Sequence, residues 1–341
     1  MTKPEKYPSW LEDPAARLEQ KNAFDGSLAM GTSRFNKETG RLKTKSKPFL
    51  QAIDPGTGLI RADLVQARRC PVCDEPPGAG LFIKDGFRHV KCPVCGLIYV
   101  GPILREDVTE KYWREEQAWT EVLNSGPQME MDRLKYQYGL DLAAGRLSGR
   151  RLLDVGSGPG GFIRLAHEND WDATALELNT ESAQKLRAEG YRVIDKNLEL
   201  SGLKENFDLI SFWEVLEHLP DPGAVLSEAR SLLTADGLLL IMVPNVNSLA
   251  TRLLHEKSGT FGGHSHLNHF SANTLAALLG KTGFLVLEIE TVITELGTIN
   301  NHLAFEDPYN GTAPNFWENL TPELIHKNLW GSRLLVLASL K

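Results

Sequence analysis

Nothing in this 341-residue chain is long and apolar enough to cross a bilayer. The best run, Gly237–Pro244 (GLLLIMVP), falls far short of the roughly 20 residues a spanning helix needs. Positive charge is not in surplus either: 37 Lys and Arg stand against 44 Asp and Glu, a net charge of −7. That balance argues against a general binder of nucleic acid or of anionic membrane surfaces. The opening stretch, MTKPEKYPSWLEDPAARLEQ, lacks the apolar core of a secretory signal, so a cytoplasmic location is expected. Cysteine is scarce as well. The four present all fall between positions 70 and 95, so one explanation must serve them all. The remainder is ordinary for a globular protein, 42% hydrophobic and 24% charged, with length for one large domain and one small one.

The most informative stretch is Arg151 to Phe162, RLLDVGSGPGGF. A short apolar run carrying an acid, Asp154, breaks into Gly156, Gly158, Gly160 and Gly161, and an apolar-periodic segment follows. This reads as strand, tight turn and first helical turn. Glycine is wanted there because the backbone must adopt conformations closed to other residues and come close to a ligand. The unpaired N–H groups of the helix start then face that ligand. A nucleotide-type cofactor site at the centre of the chain is the expectation.

The cysteines form two C-x-x-C knuckles, Cys70-Cys73 and Cys92-Cys95, about twenty residues apart, and a hairpin (LFIKDGFRHVK) is expected between them. That spacing matches a tetrahedral four-cysteine zinc site, which supplies folding energy that so short a unit cannot draw from a core. Disulfides are disfavoured in a cytoplasmic chain, and a redox pair would need one knuckle only. A closed all-thiolate site leaves no coordination position for catalysis, so the zinc is expected to be structural. The chain divides accordingly into an N-terminal extension (1–64), a zinc ribbon (65–103), a helical connector (104–148) and an α/β domain (149–341). The extension carries a basic run, Arg34, Lys37, Arg41, Lys43, Lys45 and Lys47, read as a solvated, loosely ordered segment. The connector's aromatics, Tyr112, Trp113, Trp119, Tyr136 and Tyr138, are expected to pack it onto the main domain, the alternative being that some cover the cofactor or line a substrate cleft.

From residue 149 strands and helices alternate, the pattern of a doubly wound parallel sheet. Strands are expected at Ala173–Glu177, Tyr191–Ile194, Phe207–Phe212 and Leu238–Val243, with two more in FLVLEIETVI and RLLVLASLK. Asn179 or Thr180, Asp221-Pro222 and Ser271 start helices, and Gly190, Asp236-Gly237 and Gly283 end them. The segment from 297 to 331 is a long insertion, read as a cover on the substrate side.

Gly156-x-Gly158-x-x-Gly161 also satisfies a dinucleotide fingerprint, and a carboxylate at Glu177 could accept the ribose hydroxyls of either NAD or S-adenosylmethionine. Asp154 before the glycines, the element Trp213-Glu-Val-Leu-Glu-His218-Leu after FDLISF, and Pro244-Asn245 at a strand end decide between them. At these residues the chain resembles the class I S-adenosylmethionine-dependent methyltransferases, in particular the branch of the ubiquinone-biosynthesis O-methyltransferases. The resemblance covers about 149 to 340. It implies a Rossmann-like seven-stranded sheet whose one antiparallel strand is the last, Arg333 to Leu340. It implies further that Asp154, Gly156, Gly158 and Gly160 hold the methionine end, and that Glu177 with Leu178 takes the ribose. Asn197, with Asp195 nearby, and Leu198 would meet the adenine, and Trp213 and Glu214 would line the fourth-strand tip. The ribbon also resembles that of a group of these enzymes in which C-x-x-C knuckles precede the fold, several acting on sugars and surface polysaccharides.

Methyl transfer from a sulfonium needs an aligned nucleophile freed of its proton. His264, His266 and His269 crowd the stretch GTFGGHSHLNHF on the rim where such folds bind ligands, and His218 faces the same rim. Any of the four is a candidate general base, and H-x-H-x-x-H could instead converge on an ion. The expected activity is O-methylation of a sugar, polysaccharide precursor or other hydroxylated small molecule. Three alternatives stay open: a sugar C-methyltransferase, an RNA methyltransferase gripping nucleic acid through the ribbon, and a cofactor-binding protein without catalysis. An NAD-dependent oxidoreductase is the remaining rival.

Overall fold

Continuous apolar strands must be covered on both faces, and alternating helices provide that cover. The computed structural model describes residues 8–25, 49–115, 123, 126–198, 202–303 and 317–341. The basic run at 34–47, Trp119 and the middle of the 297–331 insertion lie outside those residues.

Two short strands, β1 (Val65–Gln66) and β5 (Ile103–Leu104), pair antiparallel and bracket the cysteine-bearing unit. Inside it, β2 (Gly80–Lys84) and β3 (Phe87–Lys91) form the expected hairpin. Its turn residues Asp85 and Gly86 have φ of 49° and 83°, the left-handed pair that a two-residue hairpin requires. β4 (Ile98–Val100) adds to β3. The fourth strand of this sheet comes from far away: β11 (Asn268–His269) pairs Asn268 with Tyr99 and His269 with Ile98. The sheet order is β11-β4-β3-β2.

The large sheet uses β6 (Arg151–Val155), β7 (Asp172–Leu176), β8 (Arg192–Ile194), β9 (Phe207–Trp213), β10 (Leu233–Pro244), β12 (Phe284–Val292) and β13 (Arg333–Leu340). Its order is β12-β13-β10-β9-β6-β7-β8. β6 to β10 run parallel, and β13 lies antiparallel to both of its neighbours, as the sequence implied. The chain leaves β6 towards β7 and returns on its other side as β9, so the crevice for a ligand opens at the carboxyl ends of β6 and β9.

Alternation divides the core into two faces. Leu152, Leu209, Trp213 and Leu240 pack with Phe162 and Leu165 of the helix Gly161–Glu168 and with Leu140 of the helix Gly126–Ala144. Leu153, Ile210, Phe212 and Ile241 face the helices Pro222–Leu232 and Ala272–Lys281. The second cluster also contains Cys70, Cys92, Leu97 and Tyr99, so the ribbon and the α/β domain share one core.

Two expectations need correction. The helix begun by Asp221-Pro222 stops at Leu232, not at Asp236-Gly237. Leu233 already pairs with Phe207, and the irregularity before Leu238 absorbs the Asp-Gly pair inside β10. The N-terminal extension is also not loose throughout. Asp13 caps a helix, Pro14–Ala23, which docks on the sheet edge through Lys21 and Arg17, each 3.1 Å from Glu290.

The helix Thr180–Ala188 shows how a local signal sets an element beside the crevice. Asn179 has extended φ and ψ, and its side chain accepts from the Ser182 N–H at 3.0 Å. Asn179→Ala is expected to cost about 1 kcal/mol and to lower the melting temperature by about 2 °C, readable in a thermal melt.

Candidate functional site

The crevice floor begins at Asp154. Being buried pushes its carboxyl up to about 7, even though Ser211 Oγ donates to it at 2.7 Å. Gly156, Gly158 and Gly160 follow with φ of 73°, 53° and 83°. At Gly160 an added Cβ would stand 2.2 Å from Leu186 Cδ2, so absence of a side chain lets the next helix close on the turn. At Gly158 such a Cβ would meet only Leu123 Cδ1, at 3.9 Å, which leaves an open cradle above the backbone. Glu177, 7% exposed, ties turn and rim together: one oxygen accepts from Gly158 N at 2.5 Å and the other from Asn179 N at 2.6 Å. Burial raises its carboxyl, and the backbone N–H donors oppose that rise. Leu178 and Asn197 are half-buried at the same end, and Leu198 is sealed in the core.

Across the crevice, Trp213 lies under the helix Gly126–Ala144, with Gly139 against its ring and Tyr136 edge-on at 4.8 Å. Its indole Nε1 is buried and has no hydrogen-bond partner among the described residues. Glu214 takes φ of 56° and forms a part-buried ion pair with Arg333. Burial would raise the Glu214 carboxyl, but Arg333 and Lys135 overcome it and hold it at about 2. Val215 then packs on the bare face of Gly156.

The four sequence-selected histidines separate. His264 lies among rings of the connecting segments, 6.0 Å from Phe49 and 5.8 Å from Tyr112. His269, on β11, turns to the ribbon and stacks on His89 at 5.1 Å. His218 and His266 do meet, ring to ring at 5.0 Å. His218 Nδ1 is 2.9 Å from the Ser265 carbonyl and His266 Nδ1 is 2.9 Å from that of Thr260. A carbonyl only accepts, so each Nδ1 carries the hydrogen and each Nε2 keeps its lone pair. Burial lowers both imidazoles, His266 to about 3, leaving them neutral at pH 7.

From the sequence one side chain here, Glu217, has no assigned role, and a second, Trp113, figures only among the connector's aromatics. Glu217 is 1% exposed, and neither of its oxygens has a hydrogen-bond partner among the described residues. One donor atom from each of Glu217, His218 and His266 lies within 4.8 Å of the others. Trp113, from the connector helix Glu106–Glu115, covers His218 edge-on at 5.0 Å, and its carbonyl accepts from Asn179 Nδ2 at 3.3 Å. The Glu-Val-Leu-Glu-His element contained the signal for Glu217, since it sets two acids three residues apart beside a histidine.

The four cysteines are all free thiols, with Sγ–Sγ separations of 3.5 Å (Cys70–Cys95) and 3.4 Å (Cys73–Cys92). Four sulfurs each about 2.3 Å from a tetrahedral centre would stand about 3.8 Å apart, so these fit one zinc ion. The knuckles match: Asp74 and Gly96, at φ of 60° and 79°, return their N–H groups to the carbonyls of Cys70 and Cys92.

Residues 130–289 match a family described as a methyltransferase domain. The chain is 30% identical over 175 residues to a ubiquinone biosynthesis O-methyltransferase of Xylella fastidiosa, covering 46% of this chain and 70% of that one. To a protein of the same name from Photobacterium profundum it is 25% identical over 195 residues, 52% of this chain and 78% of the relative. In two further relatives of that name the match spans 46% and 43% of their length. The magnesium protoporphyrin IX methyltransferase of Synechocystis PCC 6803, solved with bound S-adenosylhomocysteine, overlaps 70% of this chain and 100% of its own at 13% identity. Its TM-score of 0.47 is too loose to bear on function.

Proposed function

We propose an activity from one premise: the chain belongs to the class I S-adenosylmethionine-dependent methyltransferases. S-adenosylmethionine supplies the methyl group and departs as a neutral thioether. The turn Gly156–Gly160 and Asp154 hold the methionine end, Glu177 and Leu178 the ribose, Asn197 and Leu198 the adenine. Trp213 and Glu214 wall the side from which the acceptor approaches. The four cysteines carry a structural zinc ion that keeps the ribbon folded. The acceptor is a hydroxylated small molecule, such as a sugar or a polysaccharide precursor, and the methyl goes to oxygen.

The observation that carries this reading is the pair of neutral imidazoles at the rim. With Nδ1 of each ring at a backbone carbonyl, the buried imidazoles of His218 and His266 stand beside buried Glu217. Such a cluster strips the proton from a hydroxyl brought between it and the cofactor. His264 packs among rings and His269 faces the ribbon, so neither is assigned this part.

The test is to incubate the protein with S-adenosylmethionine and a metabolite extract, and to search by mass spectrometry for species that gain one methylene. His266→Ala and His218→Ala should each slow formation of that product by about 100-fold or more. Affinity for S-adenosylhomocysteine should stay within about twofold of the parent, since neither ring belongs to the cofactor pocket. Full rates in both variants would remove the histidines from the chemistry.

A further inference from the structure

We infer that Lys84, on the hairpin of the cysteine-bearing unit, is a positioning residue for His266, so that this unit shapes the acceptor side of the crevice. The inference rests on the reading of His218 and His266 as the groups that take the acceptor's proton, and goes beyond it.

The segment from 255 to 271 carries His266, and the ribbon holds it on both sides of that residue. Ahead of His266, Lys84 Nζ donates to the Ser258 carbonyl at 2.7 Å. Phe261 meets Phe82 edge-on at 5.0 Å, and Gly263 lies so close to the hairpin that an added Cβ would stand 2.3 Å from Phe87 Cβ. Behind His266, Val100 N donates to the Leu267 carbonyl at 2.9 Å, and β11 pairs with β4. Arg68, just before the first knuckle, donates to Asn268 Oδ1 at 2.9 Å. The Lys84 contact is charge-assisted, which makes it about twice as strong as a neutral one.

A short chain of bonds joins that contact to the imidazole. Ser258 is 5% exposed, and its Oγ accepts from Thr260 N at 3.3 Å. Thr251 Oγ1, from the helix Leu249–Leu254, stands 3.2 Å from Ser258 Oγ and 3.4 Å from Thr260 Oγ1, closing a knot of hydroxyls. The Thr260 carbonyl in turn meets His266 Nδ1 at 2.9 Å. On the far side of the loop, Leu267 N donates to the Glu217 carbonyl at 2.7 Å, and the Ser265 carbonyl meets His218 Nδ1. The loop is thus clasped between the ribbon and the element bearing His218. Letting go at Lys84 frees Ser258 and Thr260, and with them the carbonyl that orients the His266 ring. A reacting group displaced by about 1 Å can lose about 100-fold in rate. Water would also reach the ring. Burial is what depresses the His266 imidazole, so a loosened ring returns towards the ordinary value of about 6.5.

The experiment uses the full zinc-loaded chain with isotope-labelled histidine, the His266 ring signal in nuclear magnetic resonance being assigned from His266→Gln. In the parent that signal should stay constant between about pH 5 and about pH 8. In Lys84→Met it should titrate with a midpoint of about 6. The titratable and charged groups that face the ring, His218, Glu217, Glu214, His269 and Arg333, are the same in both proteins. Amides of 258–267 should exchange hydrogen about tenfold or more faster in Lys84→Met, while affinity for S-adenosylhomocysteine stays within about twofold. Lys84→Arg should restore both signals, and Arg88→Met, exposed on the same hairpin, should leave them as in the parent. Circular dichroism and zinc content establish that each variant is folded, and Thr251→Val carries the same expectation should Lys84→Met not fold. Parent-like titration and exchange in Lys84→Met overturn the inference, and so does equal loosening in Arg88→Met. An acceptor assay separates the positioning role from the proposed function. Methylation by the parent, with Lys84→Met turning over at an equal kcat, would defeat the positioning role and leave the proposed function standing. A freed His266 ring in Lys84→Met, with no hydroxylated acceptor methylated by the parent, would do the reverse.

Discussion

Gly156→Val is expected to abolish detectable S-adenosylmethionine binding while the sheet still forms. Two costs add at this position. The backbone sits at φ of 73°, where a β-branched residue is strained by about 1–2 kcal/mol. A Cβ there would also lie 2.6 Å from Val215 Cγ2, and overpacking of that kind costs about 1–3 kcal/mol more. Relief can come only by moving the turn or moving Val215, and either motion spoils the crevice. Loss of affinity by about 1000-fold or more in calorimetry with S-adenosylhomocysteine is the expected outcome. Gly190→Ala is the control: φ there is 92°, but nothing lies within 4 Å of the new methyl, so strain alone remains. If the two variants bind cofactor equally well, the close approach at Gly156 has no part in the site.

Removing zinc should have the largest effect on stability. The buried thiols Cys70 and Cys92 belong to the same apolar cluster as Phe212, Ile241 and Phe270, so the four-cysteine unit is a corner of the main core. Structural zinc contributes about 10–16 kcal/mol of apparent binding free energy in small metal-dependent units. Here the neighbouring core would recover part of what is lost. Cys92→Ser, or treatment with a strong chelator, is expected to lower the melting temperature by about 10 °C or more. Protein as purified should contain one zinc per chain by elemental analysis. A zinc-free preparation melting at the same temperature as the untreated protein would show that the cysteines hold no structural metal.

Much of the fold was legible because its signals are local. The glycines at 156, 158 and 160 announce left-handed turns, and Asn179, Asp221 and Ser271 each cap the helix expected of them. The same rule applied at Asp13-Pro14 would have found the N-terminal helix, whose sequence matches the Asp221-Pro222 signal and was passed over. The rim was less legible because its arrangement is set by distant partners. Spacing alone cannot separate His264, His266 and His269 within one loop. Pairing of β11 with β4 does so, drawing His269 towards the ribbon and leaving His266 beside His218. Glu217 was only half legible: the Glu-Val-Leu-Glu-His element sets it beside a histidine, but its burial without a hydrogen-bond partner among the described residues is a property of the fold.

The strand Asn268–His269, lent by the second half of the chain to the ribbon, has a practical consequence. A fragment cut at Gly149 would bare the edge of that strand together with the greasy flank of Phe261 and Phe270, and should clump on expression. The loop bearing His266 would lose its far anchor in the same cut. Severed from its cysteine-rich neighbour, the half that holds the glycine turn would therefore be sticky and slack at its working end.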